Sequence, residues 1–500
     1  MGLETGDFIT DLVDTNPVGG TDKKHQGDNH LQLIKKVVKN SFPGHDYPWG
    51  YKESAGSDPT YTVTLDEAPS AYTEGMMIFM KASFTNAAGA ADLNVNALGA
   101  KNIYSVLGTE LWSNMIISGG VYCLIYDGTQ FILLNPSLEV SAHHENVIIN
   151  GFGLIDQRAS ETRTGLGNGD DGVYLCDRFS FAERSTPDAE VTFSLETDIP
   201  SRTEQEAVWG AGNAIVGGNS MKFDVTTQTV SIGASDAVGM TYAVEGPDYQ
   251  SLHQGAYVLS FWHKHTKTGT WSIAFENDDN DRVYAANYTQ SVTNTWEFAS
   301  IVVPADTTGT WVMEEGEKGL RITFAFLVGT SEDSPADGSW ETVTTIITGS
   351  EDQVDGCDNT ANNIMFWGFN LHKGSYARPP KMPLFQDELI RCLRYYFRIE
   401  EQSSTTYFGN GNYTTTTNFA LFFQFPVQMC QIPSPGWRSV NDVTVVSAAT
   451  ETGSNLATSG GSKDSIRFNV TTTTAGDGDG GIAYLESGTG GYIEMDAELI

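Results

Sequence analysis

Between Leu320 and Val328 every second residue is apolar. Leu320, Ile322, Phe324, Phe326 and Val328 fall on one face of an extended chain, whereas a helix would scatter them around its circumference. Such a run is a strand with one face in a core. Residues 257–263, 271–275 and 364–371 have the same character, and Trp262, Trp271 and Trp367 within them are read as core. Long loops rich in Gly and Asp separate these strands, which predicts a two-sheet, jelly-roll-like sandwich over 146–376. The wider composition agrees. With 52 glycines and only 18% charged residues, the chain suits many short strands joined by turns, not helix bundles.

The 500 residues predict three or four domains, and the fold class is mainly β. Residues 1–55 form an arm and a short helix over 29–40, with Asp28 as N-cap and Pro43-Gly44 as the stop. Leu31, Ile34 and Val38 lie on one face of that helix. About three turns cannot be stable alone, so this face is expected to dock on something. Residues 56–140 form a small β domain. In it Tyr61, Val63 and Leu65 alternate with Thr62 and Thr64, Leu93, Val95 and Ala97 alternate with Asn94 and Asn96, and Asp127-Gly128-Thr129 marks a hairpin. A linker follows over 136–145. After the sandwich, 377–402 is a connector with a helix over 385–397, its stripe being Leu389, Cys392, Leu393 and Tyr396. Residues 403–500 return to β character as a distal domain. No short tandem repeat of fixed period occurs, so a long β-helix is unsupported.

Acidic residues outnumber basic ones 63 to 28, a net charge of −35. That field repels phosphate backbones and anionic membrane surfaces, so neither nucleic acid nor membrane insertion is expected. The five cysteines are far apart with no CxxC pair, which fits neither a disulfide framework nor a zinc knuckle. No secretory signal peptide and no membrane span are expected from the sequence.

Several segments together resemble bacteriophage tail-fibre proteins. The N-terminal region carries Gly6-Asp7-Phe8-Ile9, Asn16-Pro17, Gly27-Asp28-Asn29-His30-Leu31 and Asn40-Ser41-Phe42-Pro43. The second unit carries Tyr72-Thr73-Glu74-Gly75-Met76, Leu93-Asn94-Val95-Asn96 and Tyr126-Asp127-Gly128-Thr129. The third opens with residues 146–151, continues with Gln157-Arg158 and holds Leu259-Ser260-Phe261-Trp262, similar to carbohydrate-binding-like sandwiches in phage tail proteins. Leu389-Ile390-Arg391-Cys392-Leu393-Arg394-Tyr395-Tyr396 resembles a junction helix, and Phe425-Pro426-Val427-Gln428-Met429 with Asp496-Ala497-Glu498-Leu499 fits a distal domain. The resemblance implies a homotrimeric virion protein assembled in the host cytoplasm. It implies that residues 1–45, with Leu31, Ile34 and Val38, attach to a tail, portal-adaptor or baseplate protein. It implies that the distal domains recognise a host cell-surface glycan or outer-surface protein.

Exposed aromatic rings stack on sugar faces, which makes Trp209, Trp340, Tyr407, Tyr413 and Trp437, all in loop-like surroundings, the candidate glycan contacts; packing or trimer contacts are the competing reading. His263 and His265 face one side of a strand but lack a third ligand, so they are read as surface histidines, as is the linker pair His143-His144. Asn277-Asp278-Asp279-Asn280-Asp281 lacks the calcium-loop Gly and distal Glu and is read as a solvated turn, as are residues 333–337. No GxSxG, HExxH or P-loop is present, so no catalytic residue, cofactor or metal is assigned and the chain is expected not to be an enzyme. The rivals are a tailspike-like depolymerase, which would need paired carboxylates at a defined separation, and a secreted adhesin or carbohydrate-binding protein.

Overall fold

The computed structural model describes residues 5–6, 9–13, 24–41, 51–65, 68–87, 89–111, 113–136, 146–158, 163–334, 338–343, 349–350, 352–401, 405–439, 442–447, 450–473, 478–488 and 490–499. The expected Asn16-Pro17 motif, the Pro43-Gly44 stop, nearly all of the linker, His143-His144 and residues 335–337 lie outside them. The chain is mainly β and divides into two compact units. The first comprises 1–143 together with 201–216, and the second 144–200 together with 217–500.

In the first unit a helix runs over Gly27–Ser41. Its buried stripe is His30 and Val37, with Ser41 Oγ accepting a hydrogen bond from the Ile9 amide at 2.6 Å. Leu31, Ile34 and Val38 form the adjoining stripe, about a quarter-turn round the helix, and are exposed, Leu31 by 60%. The arm thus covers one face of the helix and leaves the apolar one open. An eight-stranded sheet follows, in the order Lys52–Glu53, Met77–Lys81, Val121–Tyr126, Phe131–Leu133, Lys101–Tyr104, Ala91–Val95, Thr60–Val63 and Ala55–Ser57. Its core is drawn wholly from residues 61–133 and includes Tyr61, Val63, Leu65, Leu93 and Val95. The predicted hairpin is closed by Asp127, whose Oδ1 accepts from the amides of Thr129 and Gln130 at 2.8 and 2.9 Å. One expected strand is shorter than its alternation suggests. It ends at Val95, because Asn96 and Ala97 take left-handed backbone and the Asn96 amide bonds both backbone groups of Leu65.

The second unit holds the predicted sandwich. One antiparallel sheet is ordered Trp340–Thr342, Arg282–Gln290, Gly269–Glu276, Lys318–Val328, Ala237–Glu245, Phe179–Arg184 and Tyr174–Cys176. The other is ordered Glu190–Glu196, Ser220–Thr227, Asn363–Lys373, Tyr257–His265 and Glu297–Val303. Alternate residues from both meet in one core, Leu320, Ile322, Phe324 and Phe326 against Leu259, Phe261, Phe366 and Phe369 among others. Between Glu190–Glu196 and Ser220–Thr227 the chain makes an excursion, 201–216, that belongs to the first unit.

The connector helix spans Phe385–Leu393, four residues shorter than expected at its C-terminal end. Tyr396–Glu400, rich in strand formers, instead pairs with Tyr492–Asp496, so Tyr396 belongs to a sheet and not to a helical stripe. Ser434–Trp437 completes that three-stranded sheet. The distal region adds a seven-stranded sheet ordered Thr450–Thr452, Val443–Val446, Gly480–Leu485, Thr406–Thr415, Asn418–Gln424, Ser465–Thr471 and Asn455–Gly461. Its core takes in Ile149, Ile155 and Ala243 from the sandwich region, so the two β regions share one apolar cluster.

Candidate functional site

The seven-stranded distal sheet buries one face and leaves the other open. Val443, Val445, Phe419, Leu421, Phe468, Val470, Ala483 and Leu485 point into the core. The alternate residues form the outer face, where Tyr407 is 66% and Phe422 71% exposed and Val446 and Ile482 are also exposed. Register places Val446 beside Ile482, Ile482 beside Asn410 and Phe422 beside Arg467. The next rung sets Asn412 beside Ala420 and Ala420 beside Asn469. Tyr407 meets the Tyr484 ring edge-on at 5.5 Å. Large exposed apolar groups gathered on one sheet face mark a contact surface. Rings flanked by Asn side chains, which offer both donors and acceptors, match the mixed apolar and hydroxyl surface of a sugar.

A second concavity lies at one end of the sandwich. Gln250, His253, Gln254, Thr307, Gly309, Trp311 and Met313 line an open cleft of about 340 Å³. Its floor is an aromatic stack in which Trp311 meets Tyr249 at 5.1 Å and Trp340 edge-on at 5.4 Å. The loop forming its wall is held by Asp306, which accepts from Arg282 Nε at 2.6 Å. Gly309 has φ of +79° and a Cβ there would lie 2.4 Å from the Arg282 side chain, so this approach requires glycine. Burial holds the His253 imidazole below its ordinary pKa, so the cleft is neutral and polar near pH 7.

The five aromatic candidates separate. Tyr407 stands on the distal outer face, and Trp340 is half-buried beside the sandwich cleft with Nε1 donating to the Pro304 carbonyl at 2.7 Å. Trp437 is half-buried against the distal core. Tyr413 is 1% exposed and meets Phe419 edge-on, and Trp209 is 3% exposed at the end of the helix Arg202–Trp209. Neither offers a face to a ligand, which corrects the expectation for both. Tyr407 and Tyr413 share sequence parity, yet a β-bulge between Tyr407 and Gly409 turns them to opposite faces. Phe422, Trp311 and Arg467 were missed. Phe422 adjoins Phe423 and Phe425, and that aromatic density reads as core; only register singles out the exposed ring.

The paired histidines are interior, which corrects their reading as surface groups. His263 Nδ1 lies 2.9 Å from Gln290 Oε1 and His265 Nε2 3.1 Å from Tyr288 Oη, both within the sandwich. Burial lowers the pKa of His263 to about 4 and that of His265 well below its ordinary value. Among the described residues no group of three or more His, Cys, Asp or Glu side chains is arranged to hold a metal ion. The Asn277–Asp281 segment is a turn whose Asp278 pairs with Lys318 at 3.1 Å and whose Asn280 accepts from Arg321 at 2.8 Å.

Several buried carboxylates of the second unit gather where the sandwich meets the distal strands. Glu498 is buried and pairs with Arg178, and Arg178 Nη2 donates to the Ala243 carbonyl at 2.6 Å. Arg158 pairs with Asp496 at 3.2 Å and lies 3.3 Å above the Tyr396 ring. Asp177 accepts from the Gln157 amide and side chain at 2.7 and 2.6 Å, and burial raises its pKa to about 6. Arg394 and Tyr395 both bond Glu245, at 2.8 and 2.7 Å. These groups bond one another in the interior, and the network joins structural elements.

The chain matches no family model and no curated protein. Among solved structures it is similar to the enzymatically active domain of bacteriophage CBA120 tailspike protein 4, at 13% identity over 59% of this chain and 29% of that one, with a TM-score of 0.24. It is similar to TmCBM61 in complex with β-1,4-galactotriose, at 10% identity over 46% and 99% of the two chains and a TM-score of 0.21. It is also similar to the family 11 carbohydrate-binding module from Clostridium thermocellum, at 10% identity over 43% and 97% and a TM-score of 0.23. Scores this low carry no argument about function, and the architecture rests on the strands described above.

Proposed function

We propose that this chain is a structural tail-fibre protein of a bacteriophage, which attaches to the virion through its N-terminal helix and recognises a host-surface glycan through its distal β sheet without cleaving it. The observation that carries the recognition role is the open outer face of the seven-stranded sheet, with Tyr407 and Phe422 exposed among Asn410, Asn412 and Asn469. The attachment role is supported by the exposed stripe of Leu31, Ile34 and Val38 and by the tail-fibre resemblance of the surrounding sequence. A homotrimer is part of this reading through the tail-fibre resemblance of the sequence. One sugar site binds weakly, with a Kd of about 1 mM, and three sites on one fibre raise avidity by orders of magnitude without any new contact.

The full chain, fluorescently labelled, should stain susceptible cells and block adsorption, and incubation with purified envelope polysaccharide should release no reducing ends. Phe422→Ala should abolish staining. Steady release of reducing ends, or undiminished staining by Phe422→Ala, overturns the reading.

A further inference from the structure

Arginines in this acidic chain are almost all paired. Eleven of the thirteen, Arg158 to Arg438, hold a carboxylate within salt-bridge distance. Arg467 is different. It makes no ion pair or hydrogen bond with any described residue, although the chain carries 63 acidic side chains. Its guanidinium lies 5.9 Å from the centre of the Phe422 ring, the most exposed aromatic of the distal face. Two residues along the same strand face, Asn469 Oδ1 is buried and without a donor. The neighbouring ionic groups are engaged elsewhere: Lys463 pairs with Glu315 at 3.1 Å and Asp464 accepts from Gln428 at 3.2 Å.

The Nε of this half-buried guanidinium is shut off from water without an acceptor, a costly arrangement for a surface that meets only water. A carboxylate supplies that acceptor in two parallel hydrogen bonds. The ring supplies an apolar plane for the sugar carbons, and the exposed Asn410 and Asn412 supply amides for hydroxyls. A phosphate dianion would call for a second cation, and Lys463 is already taken. Resting on the glycan-binding reading, we propose that the outer face of the distal sheet recognises an acidic saccharide, its carboxylate held by Arg467 and its ring laid on Phe422. The net charge of −35 does not forbid this. The diffuse field is screened within about 8 Å at physiological ionic strength, whereas the pair forms at hydrogen-bond range.

The test is ligand-observed NMR titration of the full chain with two matched pairs of probes, tri-galacturonic acid against its methyl ester and sialyllactose against lactose. At least one acidic probe should bind about ten-fold or more tightly than its neutral counterpart. Arg467→Gln should bring it down to the neutral level, and Arg467→Lys should restore part of the difference by keeping the charge without the fork. Circular dichroism of both variants should match the parent, since the side chain supports no other residue. Equal binding of acidic and neutral probes, no binding of any probe, or an Arg467→Gln variant with unchanged preference overturns the proposal. If the parent chain still stains cells in such a case, the glycan-binding reading stands and the acidic class alone falls.

Discussion

The β domain over 51–136 and the distal β region over 396–499 are both built from hydrogen-bonded strands, yet they close their cores in different ways. The first draws every member of its apolar cluster from residues 61–133. The second takes Ile149, Ile155 and Ala243 from the sandwich region and receives Arg158 and Arg178 onto its Asp496 and Glu498. A sheet that supplies its own core can be cut out and carried elsewhere. A sheet whose core and ion pairs are completed from another region loses that apolar burial when it is cut out, and is expected not to fold alone. The distal region is therefore built onto the sandwich through a shared core and buried ion pairs.

The comparison is broken most directly by excision. A fragment of residues 51–136 should fold, with a cooperative thermal transition. A fragment of residues 384–500 should not, and should regain its transition when extended to 144–500. Near-ultraviolet circular dichroism during heating separates the two outcomes. A cooperative melt of the isolated 384–500 fragment would mean that the shared cluster and the buried ion pairs contribute little.

Within the intact chain, Arg178→Ala leaves Glu498 buried without its cation and should cost about 3–5 kcal/mol in urea denaturation. Tyr413→Ala empties a fully buried aromatic position in the same region and should cost a similar amount, about 3–5 kcal/mol. The contrasting case is Arg438, half exposed above the buried Asp442, and Arg438→Ala should destabilise less than Arg178→Ala because water reaches the cation's side of the pair.

A pH-dependent effect distinguishes the sandwich interior. His263 has its pKa lowered from 6.5 to about 4 by burial, so the fold holds it neutral. Between those values the unfolded chain binds the proton that the native one refuses, and stability contributed by this group is lost as pH falls from 6.5 to 4. Asp177, raised from 3.8 to about 6, works in the opposite direction over an overlapping range, since there the native chain binds more proton. The parent curve sums these opposing contributions, so the informative quantity is the difference between parent and His263→Gln. That variant should gain on the order of 3 kcal/mol relative to the parent between pH 7 and pH 4. A difference that stays constant with pH would show that His263 is not held neutral by burial.

What was legible beforehand follows the range of the forces involved. Apolar patterning over 257–263, 271–275, 320–328 and 364–371 is a local signal, and it located the strands and the buried Trp262, Trp271 and Trp367. The helix end at Leu393 was less legible, because its stop is the pairing of Tyr396–Glu400 with a strand some hundred residues away. Nothing local announces that Arg178 meets Glu498, 320 positions later, and charged residues are ordinarily read as exposed. The candidate site was half legible. Tyr407 was identifiable as an aromatic among turn-forming residues, but Phe422 and Arg467 depend on strand register, and the burial of Tyr413 depends on a bulge of one residue.

That bulge supplies the smallest expected effect on stability. Tyr407 and Tyr413 lie in one strand, six residues apart, and without the irregularity at Tyr407–Gly409 they would share a face. Tyr407 has only the edge of Tyr484 for company and is otherwise in solvent, so Tyr407→Ala removes little buried area and should change stability by no more than about 0.5 kcal/mol. The same substitution should weaken cell staining by the full chain, because it strips one of the two exposed rings from the outer face. A stable variant with impaired staining sharpens the division between a supporting core and a recognising surface. A variant that melts several degrees lower would place Tyr407 among the supporting residues, and the recognising face would then contract to Phe422, Arg467 and the Asn side chains between them.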